Sequence, residues 1–269
     1  MSSRIDKMLK SDAGASGLMV SSLEKAMRVL SAFGEGRPEM GLGELSRATG
    51  LDRSAVQRFT ATFHAMGYLD KDAETRRFKP GVRFLEFANA YLWSDGVVRE
   101  AMPRLIDLHQ SLRETINFAR LDGEDIVYLV RLPSARTSFG ATVPGRRVPA
   151  LNTASGCAMV ATLPPALRKE AVDRWRLESF TRETIVDRAA IQDRVDEAAR
   201  TQCCVTADQL MLNEIGVAVP HTTRDGTAYA VHCSLSGTHW TVERALSEVV
   251  PRLRDAVNGL YDLTFEGTR

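Results

Sequence analysis

The forty residues GLGELSRATGLDRSAVQRFTATFHAMGYLDKDAETRRFKP, Gly41 to Pro80, decide how the rest of the chain is read. Leu42, Leu45 and Ala48 form one apolar stripe at helical spacing, and Ala55, Val56, Phe59, Phe63 and Met66 form a second. Thr49-Gly50 breaks the first run. Asp52 stands where its carboxylate can accept the orphan backbone N–H groups of the next helix. Two helices joined by so short a glycine turn predict a helix-turn-helix. Arg53, Ser54, Gln57 and Arg58 fall off the apolar stripe near the start of the second helix, where a recognition helix presents side chains to base edges and phosphates. After Gly67, YLDKDAETRRFKP reads as strand, four-residue polar turn and strand, with Arg76, Arg77 and Lys79 on the return. That hairpin predicts the wing of a winged helix.

Working outward toward the N-terminus, residues 1–20 are polar and read as a disordered tail. SSLEKAMRVLSAF predicts a capped amphipathic helix from Ser21, with Leu23, Ala26, Met27, Leu30 and Phe33 on one face. Residues 21–80 thus make one DNA-binding domain. Beyond it, residues 81–96 hold an apolar linker helix carrying Val82, Leu85, Phe87, Ala88, Tyr91 and Leu92, a surface suited to pairing with its own copy. Ser94-Asp95-Gly96 marks the boundary to a second domain, residues 97–269.

That domain opens with a helix, VVREAMPRLIDLHQSLRE, in which Pro103 is expected near the first turn. INFARL and IVYLVRL around DGED make a hairpin, and SFGATV, PGRR and VPAL supply a further strand with a tight turn. Three helices follow, within TASGCAMVATL, PPALRKEAVDRWRL and DRAAIQDRVDEAARTQ. TQCCVTADQ is a strand, IGVAVPHTT and AYAVHCSLSG form a second hairpin around Asp225-Gly226, and TVERALSEVVPRLRDAVNGLYDL closes the chain as one long helix. Strands, then helices, then strands again predict an α+β domain with a largely antiparallel sheet, so the whole is of the mixed α/β class.

Composition sets limits on function. At 269 residues, 44% hydrophobic and 26% charged, the chain can bury two modest cores, and no apolar run approaches the ~20 residues a membrane span needs. With no apolar signal core at its start, it reads as cytoplasmic, without a membrane partner. The net charge of +1 hides an asymmetry: residues 1–93 carry 14 Lys or Arg against 11 Asp or Glu, and the remainder 21 against 23. This mild basic footprint suits specific binding by a dimer with few phosphate contacts. The four cysteines, Cys157, Cys203, Cys204 and Cys233, form no C-x-x-C pair and read as small buried hydrophobes, with a zinc site involving His221 or His232 unsupported by spacing. No motif for a cofactor or metal is present.

Three features of the second domain point to one ligand site. Thr153-Ala154-Ser155-Gly156-Cys157 is a small-residue helix start, whose free amides and dipole favour an anion. Ser234 and Ser236 lie on one face of a strand. Asn117 is a polar residue among apolar neighbours. Each has a structural alternative: close helix packing, the polar face of an edge strand, and a satisfied buried amide. An enzyme reading, with Cys157 as nucleophile and His109, His221, His232 or His239 as base, lacks any supporting motif.

SSLEKAMRVLSAF, ELSRATGLDRSAVQRF, the GYL exit to the basic wing, PGRRVPALNTASGCAMVA and the SLSG strand together resemble the IclR family of bacterial transcription regulators. The resemblance implies a winged helix-turn-helix, a linker helix and an effector-binding domain of GAF/PAS-like fold. It further implies a homodimer or dimer of dimers on a palindromic double-stranded DNA operator, controlled by a small carboxylate that can be aromatic. It carries ligand contacts onto Ala154, Ser155 and Gly156 and onto Ser234 and Ser236. Where many members have an acidic stretch, this chain has Thr206-Ala207-Asp208-Gln209 and Asn213, leaving Thr206 and Asp208 as alternatives for the ligand-facing position. The competing expectation is a ligand-sensing protein that does not bind DNA.

Overall fold

The computed structural model describes residues 19–135 and 143–260, which divide into two compact units, up to Tyr91 and from Leu92 onward. The tail through residue 18 and nearly all of SFGATV lie outside the described residues.

The first unit is built on helices Ser21–Leu30, Leu42–Thr49 and Arg53–Ala65, followed by strands β1 (Leu69–Lys71) and β2 (Phe78–Pro80). Val29, Leu45, Val56 and Leu69 are completely buried at its centre, with Phe33, Met40 and Phe78 around them. Gly50 takes φ 69°, a left-handed conformation that ends the second helix at little steric cost. Asp52 Oδ1 then accepts the Ala55 N–H at 2.8 Å and starts the third. β1 and β2 pair antiparallel, Leu69 opposite Pro80 and Lys71 opposite Phe78, and Met40 bonds to Phe78 on the outer side through both its N–H and its carbonyl. The expected apolar face of the first helix is rotated: Ala26, Val29, Ala32 and Phe33 are buried, whereas Leu23 and Met27 are exposed. Met66 is also exposed, because the third helix ends at Ala65. The wing turn is longer than four residues, since Asp72 accepts from the N–H groups of Glu74 and Thr75 and holds a broad loop that places Arg76 and Arg77 before the return strand.

Helix Phe84–Ser94 follows the wing, and Tyr68 packs on Phe84 and Phe87 with ring centroids 5.5 and 5.9 Å away.

The second unit is a six-stranded antiparallel sheet in the order β5-β4-β3-β8-β7-β6, comprising β3 (Thr115–Asp122), β4 (Asp125–Leu132), β5 (Arg147–Pro149), β6 (Cys204–Ala207), β7 (Glu214–Thr222) and β8 (Ala228–Ser236). One face packs on helices Gly96–Leu112, Val242–Glu248 and Val250–Asn258 through Leu105, Ile116, Phe118, Val217, Cys233 and Leu253. The other face carries helices Ala154–Val160, Pro165–Arg174 and Arg188–Thr201. Asp95 accepts from the N–H groups of Val97 and Val98, so the Gly96–Leu112 helix begins there and Pro103 lies inside it, not in its first turn. The closing helix is two helices, broken at Val249, because Pro251 cannot donate to the preceding turn and instead opens a new helix.

Strict alternation fails in β4. Val130 lies opposite Phe118 and Tyr128 opposite Ala119, so Leu129 is a bulge. Leu129 and Val130 both enter the core with the long helices, and Tyr128 and Arg131, three apart, come to the opposite face together.

Candidate functional site

In the winged unit, Arg53, Ser54, Gln57 and Arg58 all lie exposed on the first two turns of their helix, while Val56 and Thr60 are buried behind them. None of these four side chains makes a hydrogen bond or ion pair among the described residues, so the face is available to a partner. The wing arginines divide. Arg76 is exposed at φ 59°, and Lys79 is exposed on β2. Arg77, by contrast, is ion-paired to Glu44 at 2.8 Å and donates to the Glu39 carbonyl at 2.7 Å. The Gly41 N–H first, and Arg77 second, hold the Glu44 carboxyl below its usual range. Arg77 therefore braces the wing against the helix-turn-helix, a role different from the free phosphate contact expected of it. A surface cleft of about 760 Å³ opens beside this pair and includes Arg37 and Arg47, two cations not singled out by sequence pattern.

In the second unit the predicted site residues separate into those at a cavity and those behind it. Ala154 and Thr206 line the cavity, with Tyr128, Gln209, Glu214 and His232. Thr206, not Asp208, faces inward: Asp208 sits at φ 59° and spends Oδ1 on the Asn213 N–H at 2.5 Å. Ser155 is fully buried, and its Oγ has no hydrogen-bond partner among the described residues. Such an atom is costly to leave unpaired. Thr153 Oγ1 accepts the Gly156 N–H at 2.9 Å and the Thr153 carbonyl accepts from Cys157, which leaves the amides of Ala154 and Ser155 as the first-turn donors without an intrahelical partner.

Gly156 and Cys157 do not belong to the cavity. A Cβ on Gly156 would fall 2.0 Å from the Ala150 carbonyl oxygen, so glycine is there for close packing of helix on chain. Cys157 is buried in the cluster formed by the helices, its thiol donating to the Leu151 carbonyl. A hydrogen bond to Cys157, and then burial, keep the neighbouring Cys204 thiol well above its ordinary value. Cys157 has no histidine partner among the described hydrogen bonds: His109 faces the Glu114 carbonyl and His232 faces Asn117. Ser236 also lies away from the cavity, its hydroxyl on Thr238 at 2.8 Å.

Asn117 acts one layer back. It lies directly opposite Arg131 on one neighbouring strand and His232 on the other. Arg131 Nε donates to Asn117 Oδ1 at 3.0 Å, which turns the amide so that Nδ2 donates to His232 Nδ1 at 2.9 Å. With Nδ1 accepting, the His232 proton resides on Nε2. Burial, with Arg131 nearby, depresses the His232 pKa to about 3, so the ring stays neutral. Its Nε2 faces the hollow at Gly216, where an added Cβ would lie 3.0 Å from both His232 Nε2 and Thr206 Oγ1. Glycine here preserves space in the site.

Glu214 completes the wall. Ser234 Oγ donates to Glu214 Oε2 at 2.6 Å, and burial raises the carboxyl pKa against the effects of Ser234, Arg131 and Arg146. Tyr128, pushed up to about 12 by burial, remains a neutral phenol under the Arg131 guanidinium, 4.1 Å from its ring. The cavity itself is only about 10 Å³, room for about one water. Its outer wall is strapped: Gln209 Nε2 donates to the carbonyls of Glu183 and Ala207, its Oε1 accepts from Ile185, and Asn152 exchanges two hydrogen bonds with the Glu178 backbone. Sequence reasoning missed Tyr128, Arg131, Gly216 and Glu214, and weighed His232 only as a zinc ligand or a catalytic base. The bulge hid the first two, and the others are visible only once β7 and β8 are in register.

Residues 22–73 match the IclR helix-turn-helix domain, and residues 89–260 match the family described as bacterial transcriptional regulator IclR C-terminal. The chain is 27% identical over 250 residues to the p-hydroxybenzoate hydroxylase transcriptional activator of Acinetobacter baylyi, covering 91% of this chain and 92% of that one. It is also 27% identical to the Pca regulon regulatory protein of Pseudomonas putida, over 78% of this chain and 72% of that one. Among solved structures, a transcriptional regulator from a Rhodococcus species superposes with a TM-score of 0.77 at 27% identity, covering 90% of this chain and 97% of its own. A homologue from Microbacterium hydrocarbonoxydans, solved with 4-hydroxybenzoate, shares the fold with a TM-score of 0.74 at 22% identity, over 89% of this chain and 97% of its own.

Proposed function

The chain belongs to the IclR family of bacterial transcriptional regulators, and from that premise we propose which of its residues read DNA and which receive the effector. It is a DNA-binding transcriptional regulator. The reading head is the exposed start of the Arg53–Ala65 helix, with Arg53, Ser54, Gln57 and Arg58 directed at the major groove and Arg76 and Lys79 at phosphates. The effector is a small organic acid of the aromatic carboxylate class, in keeping with the relative named for p-hydroxybenzoate hydroxylase. Its carboxylate docks on the amides of Ala154 and Ser155 and on Ser155 Oγ, with Thr206 and His232 Nε2 beside it.

The observation that carries the effector site is the buried, unpartnered Ser155 hydroxyl, one residue along the helix from the cavity-lining Ala154. In this structure the cavity is far smaller than the roughly 300 Å³ or more of a typical ligand pocket. An aromatic acid must therefore part the walls, and it binds the open arrangement better than the closed one. That difference in affinity is what a switch requires. The chain acts as a homodimer, so that two heads engage two half-sites of a palindrome.

Calorimetric titration of 4-hydroxybenzoate and benzoate into the full chain and into Ser155→Trp tests the pocket. The indole is expected to fill it and abolish binding; unchanged affinity would reject the site.

A further inference from the structure

A pocket for an anion has no evident need of a carboxylate in its own wall, yet Glu214 stands there. Of the side chains lining the cavity, Glu214 alone among the described residues is an ionisable carboxyl. The other polar walls are committed elsewhere or are neutral hydroxyl and imidazole groups, weaker hydrogen-bond acceptors than a carboxyl oxygen. Gln209 and Asn152 spend their amides on the 178–185 strap, whereas Tyr128 and His232 offer an O–H and an N–H. Glu214 Oε2 accepts from Ser234, and no hydrogen bond among the described residues reaches Oε1. One strong acceptor position is thus left open at the cavity.

We propose that Glu214 determines effector specificity: its open oxygen accepts a hydrogen bond from a hydroxyl on the effector, so the pocket selects a hydroxy acid over the plain or dicarboxylic acid. This rests on the carboxylate docking site at Ala154 and Ser155 assigned above. The alternatives at this pole are disfavoured by charge. A second carboxylate has no proton to give the open Glu214 oxygen and would face that carboxyl oxygen to oxygen in a poorly solvated site. An ammonium would meet the guanidinium groups of Arg131 and Arg146, both near enough to influence Glu214. A neutral hydroxyl donates without either repulsion. The selection is then reciprocal: an acid lacking the hydroxyl leaves the buried carboxyl under-satisfied.

The test is calorimetry on the full chain with 4-hydroxybenzoate, benzoate and terephthalate against wild type, Glu214→Leu, Glu214→Gln and Ser155→Trp, with thermal melts to check folding. Wild type is expected to bind 4-hydroxybenzoate about 10- to 100-fold more tightly than benzoate, the worth of a hydrogen bond to a charged acceptor, and to exclude terephthalate. Glu214→Leu should bring the two monoacids to within about threefold of each other. Glu214→Gln, neutral but still an acceptor, should admit terephthalate. An unchanged hydroxyl preference in both Glu214 variants, while Ser155→Trp abolishes binding, overturns the role of Glu214 and leaves the pocket standing. Retained binding in Ser155→Trp removes the pocket and this inference with it.

Discussion

His232 carries a pH signature that can be isolated. In the unfolded chain a histidine takes up a proton near its ordinary value of 6.5, whereas here burial holds the ring neutral down to about 3. Between those values the unfolded state binds more protons, so stability falls as pH falls through the window, by on the order of 5 kcal/mol in all. Glu214 has the opposite sign: its raised pKa makes the folded state retain a proton longer, a contribution lost as pH rises. Thermal melts of wild type and His232→Gln at pH 7 and pH 5 should show a smaller acid-induced drop in the variant; equal drops would mean the imidazole does not control it. Gly156 offers a second residue-scale test. Because the obstructing atom is a backbone carbonyl only 2.0 Å from the added Cβ, Gly156→Ala should cost about 3 kcal/mol and lower Tm by about 6–12 °C, read by calorimetry. Chain pattern pointed to Gly156 as a ligand contact; only the position of Ala150 reveals it as a packing residue.

At the scale of elements, the wing separates two kinds of arginine. Arg76→Ala should weaken binding to operator DNA and make the dependence of log K on log salt shallower by about 1, the loss of one phosphate contact. Arg77→Ala should instead lower the melting temperature of the winged unit, since it removes the tie between Glu44, the Glu39 carbonyl and the hairpin. Fluorescence anisotropy over a salt series, paired with melts, distinguishes them; identical behaviour of the two variants would sink the division. On the recognition helix, Arg58→Ala should reduce affinity with no change in Tm, because Arg58 makes no side-chain bond within the unit among the described residues. The order of these elements was legible from period and punctuation: the glycine at 50, the carboxylate at 52, the hairpin residues at 71–79. The facing of the first helix was not, because Leu23 and Met27 satisfy the same period as Val29, and only packing against Leu45 and Val56 selects which stripe is buried.

At the scale of the whole molecule, the Phe84–Ser94 helix has no buried residue, and Leu85, Phe87 and Trp93 are 66%, 57% and 67% exposed, with Val82 before it at 74%. An apolar surface of this kind is expected to be covered by a second copy. Leu85→Asp with Phe87→Asp should shift sedimentation from dimer to monomer and greatly weaken operator binding. A dimer that survives both changes would place the contact elsewhere. What the sequence determined by itself is what depends on neighbours along the chain. Helix caps, turn glycines and apolar periods specify a winged helix-turn-helix followed by an α+β unit, and small residues at 153–157 mark the region of the proposed site. Tertiary structure alone decided what that site is made of. Asn117, Arg131 and His232 are distant in sequence and become a hydrogen-bonded row only because β4, β3 and β8 lie side by side. A bulge at Leu129 brings Tyr128 and Arg131 to one face, and the β7–β8 register sets Ser234 against Glu214. The physical reason is that side-chain direction in a sheet follows register and bulge, which arise from pairing across the sheet and are not written in any single strand.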